Sequence, residues 1–560
     1  MKRRTYDYKE IEKKWQHRWY QEQAPSFRID KKVKKYMGVV EFPYPSPGGM
    51  HVGNPKCYVG MDVVCRKKKA EGYYVWFPIG WDSFSVLTEK QALQENKSPY
   101  EITERNITNF RNELKALGLF MDFDKEINSV DPDYIAVTQK IFELAVQNEA
   151  ITKKDDVYVV NKQFCLKEIK EKIERISLPY REKAFIDCLL ETDPSFVDIK
   201  IIKGDRCIDV RNVREIIVEN YKNRKVLINK SIYKELTDAG VADTSTDSMF
   251  EEMEEKQDYC CNKLNGFYAI DNVEQKKIPV WIADIEEQAM IVDDLRYAIR
   301  TFDIPIFEKR KFGETIPSIP LVSEEDVQGM VLARWWASSF YFLFYILKEE
   351  KKNSKERSEY WLPADVYFGF ESGYKSALHV YLSLFVNELI KKNTEYKMDF
   401  FLSRICHGEI LSDKGERLIG KNHRKISYQE IIGLVGADAY RFYILSLGPF
   451  SENVRWNMNL MDEIIDMLNT IWEYQDIYED FAEISVDDYI KDIEKAYVSM
   501  DFQKICQSIL KMIHKLKVNR VHFNREQYQR VIQMCYPVIP HICEEINERL
   551  GFEPLYRKIC

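Results

Sequence analysis

His51-Val52-Gly53-Asn54 follows a Pro- and Gly-rich stretch, Pro43 to Gly49, and opens a helical pattern. A helix N-terminus presents free N–H groups and the positive end of a dipole, so phosphates bind there. Gly53 lets a planar ring approach the backbone. His51 can donate a hydrogen bond to a phosphate oxygen as charge develops on it. Asn54 can donate a neutral one but cannot take up a proton. A turn carrying a surface histidine is the plainer alternative. Asp82 follows an apolar strand-like run and offers a carboxylate to an ammonium group, or else N-caps a helix.

The elements that position these residues are legible from periodicity. Tyr8 to Glu22 carries Ile11, Trp15 and Trp19 at four-residue steps, an amphipathic helix laid on something else. Met37 to Phe42 is a short apolar strand. A helix from Asn54 ends at Gly72, with Lys67 to Lys69 near its end, and Tyr73 to Ile79 is strand-like again. Strand, glycine loop, helix, strand is a parallel βαβ unit of Rossmann type. Asn106 to Gly118 and Asp131 to Glu149 read as helices, and Trp361 to Leu389 repeats the strand, loop, helix theme. A polar loop, Ser412 to Lys425, leads to a helix at Tyr428 to Leu434, and helical patterns dominate from Asn457. The fold class is α/β: a Rossmann-type parallel-sheet core split by an inserted α+β domain and followed by an α-helical bundle. The boundaries are 1–150 and 321–454 for the core halves, 151–320 for the insert and 455–560 for the bundle.

Both charge signs are mixed, and the net charge is -8. A nucleic-acid partner would therefore need a local basic face. No apolar run approaches the ~20 residues of a membrane span. The basic N-terminus lacks the apolar core of a secretory signal. The 12 cysteines form no CxxC pair, a usage that fits free thiols in the cytoplasm and no zinc site.

Phe42-Pro43-Tyr44-Pro45-Ser46 with His51-Val52-Gly53 resembles the signature of class I aminoacyl-tRNA synthetases of the leucyl type, as a divergent, shortened paralogue. Further blocks resemble the same family in order: Gly80-Trp81-Asp82-Ser83-Phe84, Asn109 through Gly118, Asp122 to Asn128, Ser338 to Phe342, Trp361-Leu362-Pro363, Gly436-Ala437-Asp438 with Arg441, and Pro537 to Ile542.

The resemblance implies activation of an amino acid with ATP and Mg²⁺ to an aminoacyl adenylate. It implies catalytic roles for His51, Asn54, Lys421 and Arg417, and nucleotide contacts from His51, Gly53, Gly369 and Gly420. It implies an amino-acid site of Glu41, Phe42, Tyr44, Asp82, Trp335, Tyr367 and His379. No zinc is expected, because the family's zinc-bearing insert is missing. Transfer to tRNA through the C-terminal bundle, and a monomeric state, are further expectations.

Four departures stand out. Asn54 replaces the family's second histidine. The lysine-rich ATP loop falls on Arg417-Leu418-Ile419-Gly420-Lys421, where Gly420 holds the key lysine's position and flexibility lets Lys421 or Arg417 reach phosphate. A decayed, solvated basic loop is the alternative. The expected apolar pocket has gained Glu41, Arg334 and Lys375, with Trp335 in place of a phenylalanine. Such charges, buried and unpaired beside an apolar ligand, make leucine a poor substrate. The editing signature is absent from the aligned Ile285 to Met290. Two other readings stay open: a catalytically degenerate paralogue that binds RNA or protein, and an amino-acid activator that never uses tRNA.

Overall fold

The computed structural model describes residues 2–22, 29–45, 49–50, 52–83, 86–154, 157–179, 182–183, 186, 190, 197–203, 206–213, 215–220, 223–228, 236–238, 261–270, 277–283, 307–309, 330–332, 334–348, 353–370, 374–413, 428–476, 486–519 and 524–557. In chain order, the elements that frame the site begin with α1 (Tyr8–Glu22), β1 (Lys35–Val40), α2 (Pro55–Ala70), β2 (Tyr74–Trp76) and β3 (Pro78–Trp81). Next come α3 (Pro99–Ala116), β4 (Asp122–Asn128), α4 (Pro132–Gln147), α5 (Tyr341–Leu347), β5 (Val366–Phe370), α6 (Tyr374–Asn393) and β6 (Arg404–His407). The helices α7 (Ala437–Ser446), α8 (Phe502–Asn519) and α9 (Pro540–Arg549) follow.

The central sheet has the order β6-β5-β1-β2, and every pairing in it is parallel. Val39 pairs with Tyr367, and Tyr367 with Arg404. Alternation along the strands sends side chains to two separate cores. Tyr36, Val40, Val366 and Phe368 join the core shared with α2 and the C-terminal helices. Met37, Val39 and Tyr367 join the core formed with α4, α5 and α6. Gly38 lets α2 lie directly on β1, because a Cβ there would sit 2.5 Å from the Met61 sulfur.

α1 covers the last helix. Trp15 donates through Nε1 to Glu545 at 3.0 Å, and Trp19 packs on the His541 ring. The helix preceding Gly118 starts at Pro99 rather than near Asn106, because Ser98 and Glu101 form a capping box ahead of it. Trp361 ends a short helix, Ser354–Trp361, rather than beginning the second strand.

In sequence, between the first two and the last two strands of the parallel sheet, the chain forms a separate six-stranded sheet from Val197–Lys203, Arg206–Val213, Glu215–Asn220, Asn223–Ile228, Cys261–Ile270 and Lys277–Ala283. Its pairings are antiparallel, except that Asn223–Ile228 runs parallel to Lys277–Ala283. Residues 285–290, where an editing signature would align, lie outside the described residues.

A buried ion network ties α2 to the C-terminal helices. Asp62 accepts from Arg66 Nε at 2.9 Å and Arg441 Nη2 at 2.6 Å. Arg441 also reaches the carbonyls of Pro537 and Val538. Asp438 accepts from the backbone N–H of His541 and Ile542 and from the His541 ring. Blocks far apart in sequence, around Asp438 and around His541, are therefore one structural knot.

Candidate active site

The segment linking β1 to α2 leaves the carboxyl end of a parallel strand and delivers α2's N-terminus to the crevice there. This is where open parallel sheets take ligands. Two side chains anchor the segment. Glu113, on α3, accepts from the Met50 N–H at 2.7 Å and from Gln429 Nε2 at 3.1 Å. Tyr440, on α7, donates to the Val52 carbonyl at 2.6 Å. Gly53 is buried and Asn54 half-buried, directly before Pro55 at the first turn of α2. Sequence reasoning missed both anchors. Glu113 had a signal: it sits at helical spacing with Phe110, Leu114 and Leu117, on an apolar face where an unpaired carboxylate would be costly. Tyr440 had none.

His51, Arg417, Gly420 and Lys421 lie outside the described residues, as do the side chains of Arg334 and Lys375. Lys56, one residue into α2 and buried, has its ammonium pKa lowered to about 8 by burial. It stacks near Phe450 and reaches the Glu452 carbonyl at 3.4 Å.

Asp82 is buried at the end of β3, where its N–H donates to the Pro43 carbonyl at 3.1 Å. Phe42 stacks on Tyr341 with ring centroids 4.1 Å apart. The Tyr367 hydroxyl meets His379 Nδ1 at 3.2 Å, and His379 Nε2 faces the Ser338 carbonyl at 3.2 Å. The carbonyl can only accept, so Nε2 carries the proton and Nδ1 accepts from Tyr367. Burial holds the imidazole pKa below its usual value despite the nearby Glu41 carboxylate. Trp335 packs 6.0 Å from the same ring. Phe42, Trp335, Tyr367 and His379 are thus brought together on the sheet face opposite α2, while Tyr44 stays 41% exposed.

Glu41 corrects one expectation. Its charge is paired. Arg404 on β6 reaches Glu41 Oε1 through Nη2 and Glu182 through Nε and Nη2, at 3.2 Å for each Glu182 contact. Burial alone would raise the Glu41 carboxyl, but the Arg404 guanidinium and the Phe370 N–H outweigh it and hold the group below the usual carboxylate range. Gly369 makes room for the pair: a Cβ there would meet Arg404 Nη1 at 2.3 Å and Glu41 Oε1 at 2.4 Å. A partner 363 residues away, on a strand two places across the sheet, leaves no local trace in sequence.

Residues 39–172 match the family model described as tRNA synthetases class I (M). The chain is 24% identical to the leucine–tRNA ligase of Alkaliphilus oremlandii, over 98% of this chain and 90% of that one. It is 24% identical to the leucine–tRNA ligase of Mycoplasmopsis pulmonis with the same coverage. Among solved structures, the LeuRS of Agrobacterium radiobacter K84, in a ternary complex with tRNA and LeuAMS, superposes with a TM-score of 0.66 at 16% identity, covering 99% of this chain and 90% of that one. Mycobacterium tuberculosis methionyl-tRNA synthetase in complex with methionyl-adenylate gives 0.56 at 12% identity, covering 93% and 95%. Over nearly its whole length the chain is thus similar to leucine–tRNA ligases, and it shares the fold of the leucyl and methionyl class I synthetases.

Proposed function

We propose that this chain activates an amino acid with ATP to an aminoacyl adenylate and passes it to tRNA or another acceptor. The observation that supports this most is the α2 N-terminus, set at the carboxyl ends of β1 and β5 by the Glu113 and Tyr440 anchors. That crevice suits a nucleotide's phosphates, held at the positive end of the α2 dipole beside Gly53 and Asn54. On the opposite sheet face, Phe42, Trp335, Tyr367 and His379 suit an amino-acid side chain, and Asp82 suits its ammonium group.

In this reading, the amino-acid carboxylate attacks the α-phosphorus in line, the bond to the bridging oxygen breaks, and pyrophosphate leaves. The protein supplies positioning and charge stabilisation. His51 and Asn54 donate hydrogen bonds to phosphate, and Lys421 or Arg417 supplies positive charge to it. A magnesium ion bound with the nucleotide would neutralise phosphate charge. Residues 1–150 and 321–454 form the core, 151–320 the insert, and 455–560 the bundle that would meet tRNA. Within that bundle, Lys504, Lys511 and Lys515 are exposed on α8 and suit a phosphate backbone, whereas Lys517 is paired with Asp466.

The reading is tested by nucleotide binding. Calorimetry should detect ATP binding to the intact chain and lose it in Gly53→Trp. Unchanged affinity in that variant would refute the placement of the nucleotide.

A further inference from the structure

We propose that Glu41 and Arg404 read the side chain of the activated amino acid, and that they select a neutral side chain that both donates and accepts hydrogen bonds. This inference rests on the adenylation reading and names its substrate class. Glu41, Tyr367, Gly369 and Arg404 share the sheet face that carries His379 and Phe42, away from the face covered by α2. The Glu41 side chain is 28% exposed at the carboxyl end of β1, whereas Arg404 behind it is fully buried. The guanidinium lies over the Tyr367 ring at 4.2 Å, so the cluster is continuous with the residues proposed to hold the amino acid.

The cluster is incomplete as it stands. Arg404 Nε and Nη2 are engaged by Glu41 and Glu182, but the buried Nη1 has no hydrogen-bond partner among the described residues. Buried donors are satisfied in the great majority of native sites, so an unmet one points to a group that arrives later. Nη1 lies against Gly369, whose missing side chain leaves it room, and Glu41 Oε1 lies against the same glycine. A group entering along Glu41 therefore meets an ionised carboxylate, which accepts, and the edge of a guanidinium, which donates. A primary amide fills both roles at once, and a hydroxyl does so with one atom. An aliphatic side chain fills neither. A cationic one meets the carboxylate but has no acceptor to offer Nη1. Sites built on such hydrogen bonds reject partners that lack them by large factors.

The test is calorimetric binding of aminoacyl sulfamoyl adenosines to the intact chain, with glutaminyl, asparaginyl, seryl, threonyl, leucyl and lysyl arms. At least one amide or hydroxyl analogue should bind tenfold or more tighter than the leucyl and lysyl analogues. Glu41→Gln keeps the size of the side chain and leaves Arg404 paired with Glu182. It should cut that advantage at least tenfold, and Glu41→Met should abolish it. Thermal unfolding of each variant separates loss of selectivity from loss of fold. A leucyl or lysyl analogue that binds as well as the polar ones, or an advantage that survives Glu41→Met, overturns this inference and leaves adenylation standing. Failure of every analogue to bind overturns the adenylation reading and this one with it.

Discussion

Asp62→Asn is the sharpest perturbation of the framework that carries the site. Asp62 is fully buried and neutralises two guanidiniums, accepting from Arg66 at 2.9 Å and Arg441 at 2.6 Å, with a third bond from the Phe120 N–H. The substitution keeps the shape and removes the charge. Stripping one partner from a buried ion pair costs about 3–5 kcal/mol. Here the orphaned cations keep other acceptors: Gly118 and Tyr536 for Arg66, and Pro537 and Val538 for Arg441. The expected loss is therefore at the lower end, about 3 kcal/mol, which at a slope of about 2–3 kcal/mol per molar urea lowers the midpoint by roughly 1–1.5 M. Tryptophan fluorescence reads the transition. Burial raises the Asp62 carboxyl, but Arg66 and Arg441 outweigh it and leave it below its ordinary value. The network's contribution is thus present above pH ~4 and is lost as pH falls through the native value. In the double variant with Arg441→Met, one uncompensated cation is gone, so the two losses should be strongly non-additive. A loss under about 1 kcal/mol in Asp62→Asn, or simple additivity, would refute the network as the link between α2 and the C-terminal helices.

Lys56 is buried with its pKa lowered from 10.5 to about 8. Its folded-state value lies below the unfolded one, so wild-type stability should fall as pH drops from about 10.5 to about 8. Lys56→Met should flatten that slope and stabilise the chain at neutral pH by on the order of 3 kcal/mol, checked by urea melts across the range. Gly369→Ala should push a methyl into Arg404 and Glu41, cost about 1–3 kcal/mol in a thermal melt, and weaken amino-acid binding more than ATP binding. Tyr440→Phe removes the bond to the Val52 carbonyl. It should cost about 1 kcal/mol and raise the KM for ATP, with little change in the KM for the amino acid. Leucyl-tRNA should not be deacylated by the intact chain, and robust hydrolysis that needs residues 151–320 would contradict the expected loss of editing.

Much of the scaffold was legible because its signals are local. Periodicity placed α1, and the strand, glycine loop, helix order announced β1, α2 and the parallel sheet. The family resemblance assigned Phe42, Tyr367 and His379 to one pocket, and the three share one sheet face. What stayed hidden depends on pairing across the sheet or between distant helices. Glu41 reads as an uncompensated charge until β6 brings Arg404 beside it. Glu113 reads as one more helix carboxylate until the segment before α2 folds onto it, and Tyr440 reads as a core aromatic until its hydroxyl meets Val52.

Adenylation itself is tested most directly by amino-acid-dependent exchange of labelled pyrophosphate into ATP, run on the intact chain with all twenty amino acids, with and without tRNA. The account predicts exchange with at least one amino acid, abolished by Gly53→Trp. Absence of exchange with every amino acid under both conditions would contradict it.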